Sequence, residues 1–223
     1  MIRLTPALKR QITHDWRSLF PELAVFRPMW LLRRVGPLVQ GIALERSSAG
    51  TTYLPIVHMH DLCRPFPNVS LSLSQRLRSR RSGAQESIAV QFHDRLYLEA
   101  AQRLAGDSLL PLRGDVAVEE VVQAYERYRN LGELTSGLPV SYFESAIRLL
   151  AWTGRTEDGL RVLAAYVREL RSCANALADA PDDLEAWERS LRDVLVDPAS
   201  VRRTAAEQAV ALKVDRLPLS SLL

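Results

Sequence analysis

The segment His58-Met59-His60-Asp61-Leu62-Cys63, with His93-Asp94 further on, gathers the side chains in this sequence best suited to chemistry. On an extended strand, residues two apart share a face, so His58 and His60 point the same way. Two imidazoles at that spacing can ligate one zinc or iron ion, with Cys63, Asp61 or His93 as a further ligand. A metal-dependent enzyme using His58, His60 and His93 is therefore one reading. The competing reading is a strand whose histidines meet solvent or hydrogen-bond partners. It is preferred because no spacing fixes the remaining ligands.

Other catalytic arrangements are weaker still. HMHDLC lacks the final histidine of the HxHxDH pattern of metallo-β-lactamases. Ser70 or Ser72 could be grouped with His93 and Asp94, yet no Gly-x-Ser-x-Gly elbow presents a serine. Gly36, Gly41 and Gly50 are isolated, and neither GxxxxGK[ST] nor GxGxxG occurs, which disfavours nucleotide-dependent catalysis. No cofactor is expected, and a non-catalytic chain is favoured over an enzyme.

Arg76, Arg78, Arg80 and Arg81 form the densest basic run, and the first three should project from one face of a strand. Phosphate or an acidic protein could dock there. Nucleic-acid surfaces interleave basic residues with exposed aromatics or present a recognition helix, whereas this run alternates arginine with leucine and serine. Trp30, Tyr53 and Phe92 lie in runs whose apolar spacing explains them as core. The same holds for Tyr125, Tyr128, Tyr142, Trp152, Tyr166 and Trp187 on helical stripes.

Charge is segregated along the chain. Residues 1–110 carry fifteen basic against eight acidic side chains, and residues 111–223 carry fourteen against eighteen. Such asymmetry bears on association rather than on fold. Lys9 and Lys213 are the only lysines among 29 basic residues, so nearly every cation is a planar guanidinium suited to carboxylate, phosphate or an aromatic face.

The elements that must position these groups change character near residue 110. Thr5-Pro6 is a helix start, since the threonine oxygen caps free amides and proline fits the first helical position. Leu8, Ile12, Trp16 and Leu19 make its apolar stripe, and Phe20-Pro21 should end it. Strand-like runs follow at 29–35, 38–46, 52–60, 69–78 and 87–92. The short gaps between the first runs require antiparallel neighbours, so a meander is expected. Val69, Leu71, Leu73 and Leu77 alternate with serines and arginines, which predicts a sheet covered on one side only.

Beyond Phe92 the period becomes 3.6, with helices expected at 94–105, 116–131, 140–153, 157–178, 182–196 and 199–213. Asp115, Thr156 and Asp197 are candidate N-caps, Pro139, Pro181 and Pro198 sit at or near helix starts, and Gly154 is a C-terminal stop. The acidic pairs Glu119-Glu120, Glu157-Asp158 and Asp182-Asp183 suit first turns. AIRLLAWTGRTEDGLRVLAAYVREL resembles one hairpin of a tetratricopeptide array, but it occurs once and is read as an ordinary helical hairpin.

With 223 residues and 47 % hydrophobic content the chain can bury a real core. The expected organisation is a sheet part over 1–110 and a helical part over 111–223, or one continuous domain. Cys63 and Cys173 fall in no CxxC or Cys/His pattern, as suits a reducing compartment. The N-terminus, MIRLTPALKRQITHDWRSLF, carries charge throughout and has no apolar signal core. No apolar run approaches the length of a spanning helix. A soluble cytoplasmic chain with no membrane partner is expected.

One stretch, WLLRRVGPLVQGIALERSSAGTTYLPIVHMHDL, looks like the opening sheet of small bacterial proteins that include immunity proteins of polymorphic-toxin and contact-dependent inhibition systems. The resemblance implies a cytoplasmic protein without catalysis that binds a cognate toxin domain and blocks it. It carries over no functional residue. The combined expectation is an α+β fold: an N-terminal helix, an antiparallel sheet of four or five strands, and a C-terminal helical group packed on it. The leading function is an immunity-type inhibitor. The alternatives are a nucleic-acid-associated protein using the Arg76 to Arg81 run and the metal-dependent enzyme.

Overall fold

The computed structural model describes residues 2–130, 140–173 and 181–223, the side chains of 129, 130 and 173 excepted. The chain is α+β, with an N-terminal helix, an antiparallel five-strand sheet and a C-terminal helical group. It divides into two compact units. The first takes Met1–His60, Val69–Val116 and Arg216–Leu223; the second takes Asp61–Asn68 and Ala117–Asp215.

The first unit begins with helix α1, Pro6–Leu19, and Thr5 caps it by accepting the Leu8 N–H at 3.2 Å. The strands follow as β1, Ala24–Arg27, β2, Trp30–Val35, β3, Leu38–Arg46, β4, Thr52–Asp61, and β5, Ser72–Arg76. They lie in the order β1-β2-β3-β4-β5. Val35 and Leu38 pair across the Gly36-Pro37 turn, where Gly36 supplies a φ of 55°.

Four strands differ from the sequence reading, one of them β5, which spans Ser72–Arg76 where 69–78 was expected. β1 precedes the first expected run; at four residues it carries too little pattern to be seen. The expected strand over 87–92 shrinks to β6, Ile88–Ala89, which pairs with the start of β4 rather than extending the meander beyond β5. A 3-10 turn, Val90–Phe92, then leads into α2, His93–Gly106. The C-terminal β7, Leu219–Ser220, adds parallel to β2 opposite Arg34 and Val35.

The core of this unit joins Ile12 and Trp16 of α1, and Phe20 just beyond its end, to Leu31, Ile42, Leu44, Tyr53 and Val57 of the sheet and to Ala100, Ala101 and Leu104 of α2. Single-sided cover, expected from the sequence, does not hold for the central strands. Seven consecutive residues of β3, from Leu38, are buried, and so is β4 from Pro55 onward. The alternation that suggested an open face belongs to the edge strand β5, where Leu73 is buried and the other four residues meet water.

Arg33, with no exposed side-chain surface, locks this unit's termini together. Its Nε donates to Gln40 Oε1 at 3.0 Å. Its Nη1 donates to Glu22 Oε2, Gly114 O and Ser220 Oγ, and its Nη2 donates to Pro111 O. Burial pulls its pKa down while Glu22 opposes that shift.

The second unit is helical: α3, Val118–Asn130, α4, Val140–Thr153, α5, Thr156–Cys173, α6, Leu184–Val196, and α7, Pro198–Ala211. The expected end of the 157–178 helix and the Pro139 start lie outside the described residues. α4 packs against α3, α5, α6 and α7, which makes the unit a bundle around one buried helix rather than a stacked array. Gly154, at φ 81°, closes α4: its N–H donates to Ala151 O and that of Arg155 to Leu150 O, the Schellman pattern.

Capping follows the expectation at Asp197, which accepts the Ser200 N–H at 3.0 Å. It departs at two sites. Asp115 caps no helix and instead accepts the Ser221 N–H at 2.7 Å. Thr156 is already helical, and its hydroxyl donates to Leu195 O at 3.1 Å. Among the described residues no helix is long and apolar enough to cross a membrane.

Candidate functional site

His58 and His60 lie on β4 and both are buried. His60 Nδ1 accepts the Ser70 N–H at 3.1 Å and lies 2.9 Å from Ser70 Oγ, so its ring proton sits on Nε2. Neither nitrogen of His58 has a hydrogen-bond partner among the described residues. Burial lowers the His58 pKa to about 3 and keeps the ring neutral, edge-on to Trp30 at 5.1 Å.

His93 opens α2 and takes part in a separate chain of hydrogen bonds. Trp16 Nε1 donates to Tyr53 Oη at 3.3 Å, Tyr53 Oη lies 2.7 Å from His93 Nδ1, and His93 Nε2 lies 3.1 Å from Asp15 Oδ2. An indole can only donate and a carboxylate here only accepts, so Tyr53 donates to Nδ1 and Nε2–H donates to Asp15. Among the described residues, the one set of three ligand atoms within 4.8 Å is Asp15, His93 and Asp94. His58, His60 and His93 therefore do not come together. A metal on His93 Nε2 would require the ring proton to move to Nδ1, leaving the buried Tyr53 hydroxyl without an acceptor. Tyr53 has no exposed surface, and burial holds its phenol protonated. The row satisfies the polar groups of Trp16, Tyr53, His93 and Asp15 with one another.

In the second unit Asp61 Oδ1 accepts the Cys63 N–H at 2.7 Å, and the Ser145 hydroxyl also bonds the carboxylate. Burial raises both the Asp61 and Cys63 pKa values, with the Asp61 charge adding to the shift at Cys63. Cys63 is thus a protonated, buried thiol, the opposite of an activated nucleophile.

The arginine run is brought together on a hairpin rather than on one strand face. Arg76 ends β5, and Arg78 bridges to Gln85 and donates to Gly83 O at 2.8 Å. Arg80 and Arg81 ride the turn between them, closed by Ser79 N–H to Ala84 O and Gly83 N–H to Ser79 O. All four side chains are exposed. Arg80 shares a shallow hollow with Glu99, Arg103 and Asp107.

A second basic surface in the first unit escapes the sequence reading. Lys9 and Arg10 of α1, Arg27, Pro28, Met29 and Trp30 of the β1–β2 turn, and Glu45 and Arg46 at the end of β3 line an open cleft of about 700 Å³. Its three walls are cross-linked. Thr13 of α1 accepts the Met29 N–H at 2.8 Å, and Met29 O accepts the Leu44 N–H at 2.8 Å. Met29 holds a φ of 72°, which turns the chain so that the Arg27 guanidinium lies 4.1 Å from the Trp30 ring centroid. Trp30, expected in the core, packs against it with one side and lines this cleft with the other. Among the described residues, Lys9, Arg10, Arg27 and Arg46 have no carboxylate partner. Three segments far apart in sequence make the cleft; the one local hint is a first helical turn without an acidic residue.

Against protein-family models, curated proteins and solved structures, the chain has no match.

Proposed function

We propose that the chain is a non-catalytic cytoplasmic binding protein of the immunity type, which engages a cognate toxin domain through the arginine hairpin of its first unit. The observation that carries this reading is the exposure of Arg76, Arg78, Arg80 and Arg81 on a turn closed by its own backbone hydrogen bonds. Little ordering entropy is lost when such a turn inserts into a concave acidic surface. Charge segregation supports the same reading. The first unit carries sixteen basic and eight acidic residues, the second thirteen and eighteen. A basic body of this kind speeds encounter with an acidic partner and repels basic ones. The resemblance of the β2 to β4 stretch to immunity proteins supports a toxin domain as that partner.

The test is co-purification with the toxin domain followed by assay of the toxin's activity. A one-to-one complex that abolishes activity is expected, and replacing the four arginines with alanine should weaken it by at least about 10-fold, chiefly through slower association. A toxin that stays active in excess protein ends the proposal. The nucleic-acid alternative uses the same arginines. It is separated by the salt slope of oligonucleotide binding, which should flatten in Arg76→Ala/Arg78→Ala if that surface holds phosphates.

A further inference from the structure

We propose that the cleft between α1, the β1–β2 turn and the end of β3 binds a nucleoside diphosphate, a site distinct from the arginine hairpin. Lys9, Arg10, Arg27 and Arg46 face it against the single acid Glu45, a lining charge of +3. A nucleoside diphosphate carries about −3 at neutral pH, since its terminal phosphate has a second pKa near 6. The cleft's volume of about 700 Å³ accepts one such molecule rather than tracking a strand.

The arrangement divides into two ends by chemistry. Lys9, Arg10 and Arg46 have no carboxylate partner among the described residues and lie on two different walls, able to grip a pyrophosphate from both sides. The Arg27 guanidinium carbon lies over the Trp30 ring, 4.1 Å from its centroid, and the pair offers a platform for a base. One platform suits one base. Glu45 supplies an acceptor for ribose hydroxyls or an exocyclic amine, a group that an acidic peptide would not use and would be repelled by. The phosphates are held by side chains instead of a glycine-rich backbone loop, so the proposal is binding, with no phosphoryl transfer. The Thr13 to Met29 and Met29 to Leu44 hydrogen bonds hold the walls in place before the ligand arrives.

The experiment titrates ADP into the full chain, followed by calorimetry and tryptophan fluorescence. One saturable site with quenching is expected. Arg46→Ala and Lys9→Ala should each weaken it by about 10-fold, Trp30→Phe should keep most of the affinity while losing the quench, and Arg76→Ala should change nothing. Arg46 is exposed and Lys9 half-exposed, so neither variant threatens the fold. No binding at about 1 mM ADP overturns the proposal. Equal affinity for inorganic pyrophosphate removes the base platform and overturns the nucleoside assignment. Tighter binding of a glutamate decapeptide or of a single-stranded oligonucleotide replaces the ligand and overturns it as well.

Discussion

Tyr53 donates its hydroxyl proton to His93 Nδ1 across 2.7 Å, and the direction of that bond is dictated by its neighbours at both ends. Trp16 occupies one lone pair of the tyrosine oxygen, and Asp15 takes the Nε2 proton of the imidazole. Four side chains from α1, β4 and α2 are thereby joined in one polarised row that crosses the core of the first unit. Each member satisfies the next, which is the condition under which buried polar groups add specificity without a desolvation cost.

Tyr53→Phe keeps the ring and removes the hinge of this row. The Trp16 Nε1–H and His93 Nδ1 then lose their partner in a region where Trp16 and Tyr53 have no exposed surface. A buried donor left unsatisfied costs about 1–3 kcal/mol. The expected outcome is a lowered urea midpoint with an unchanged slope, and an unchanged midpoint would show that the row does not stabilise the unit.

Arg33→Met should be more severe at one place than across the fold. The guanidinium holds the Gly114 and Pro111 carbonyls and Ser220 around β2, and breaking a buried charged cluster costs about 3–5 kcal/mol. The lower end is expected, because Glu22 is 41 % exposed and can turn to water. Hydrogen exchange should locate the damage at the Arg34 and Gly36 amides, which donate to Pro218 O and Ser220 O of the C-terminal segment. Uniform loss of protection across the sheet would contradict this local role.

The parts of the fold that are legible in the sequence are those signalled by neighbouring residues. Thr5-Pro6, Asp197-Pro198 and Gly154 mark helix ends because capping is satisfied within a few positions. The sheet core is legible from alternating and continuous apolar runs, though Leu38 to Leu44 is continuous enough to have indicated burial on both faces. β5 is shorter than its alternation because Leu73 adopts a φ of 46° where the register against β4 shifts. Asp115 resembles a cap, but its partner, the Ser221 amide, lies 106 positions away. The cleft is illegible for the same reason. Arg10, Arg27 and Arg46 meet only after α1 docks on the β1–β2 turn, and no local spacing encodes that docking.

Gly41→Ala tests the close approach of β2 and β3. A Cβ at this position would lie 2.0 Å from Leu31 O and 2.6 Å from Leu32 Cδ2, and the first of these is backbone that cannot swing aside. Overpacking of this kind costs about 1–3 kcal/mol, and here the strands must separate. The variant should show a lower melting temperature and weakened amide protection along β2 and β3. Gly50→Ala, with nothing within 4 Å of its Cβ, should lose only what its φ of 67° demands. Equal losses at the two positions would refute the steric argument.

His58 predicts a pH dependence whose sign follows from burial. Its folded-state pKa is lowered from the ordinary value of 6.5 to about 3, so the folded ring stays neutral while the unfolded ring takes up a proton below 6.5. The unfolded state then binds more protons, and stability falls as pH drops through this window. At pH 5 the loss is about 2 kcal/mol relative to pH 7.5, from 1.36 kcal/mol for each pKa unit between 6.5 and 5. Asp61 acts in the opposite direction, since its raised pKa favours the folded state when protonated, so the measurement must be a difference. His58→Leu fills the same apolar surroundings, loses no hydrogen bond, and should equal or exceed the parent at pH 7.5. Chemical denaturation at pH 7.5 and pH 5 should give a gap between variant and parent that widens toward acid. A constant gap would place the acid-sensitive proton on another residue.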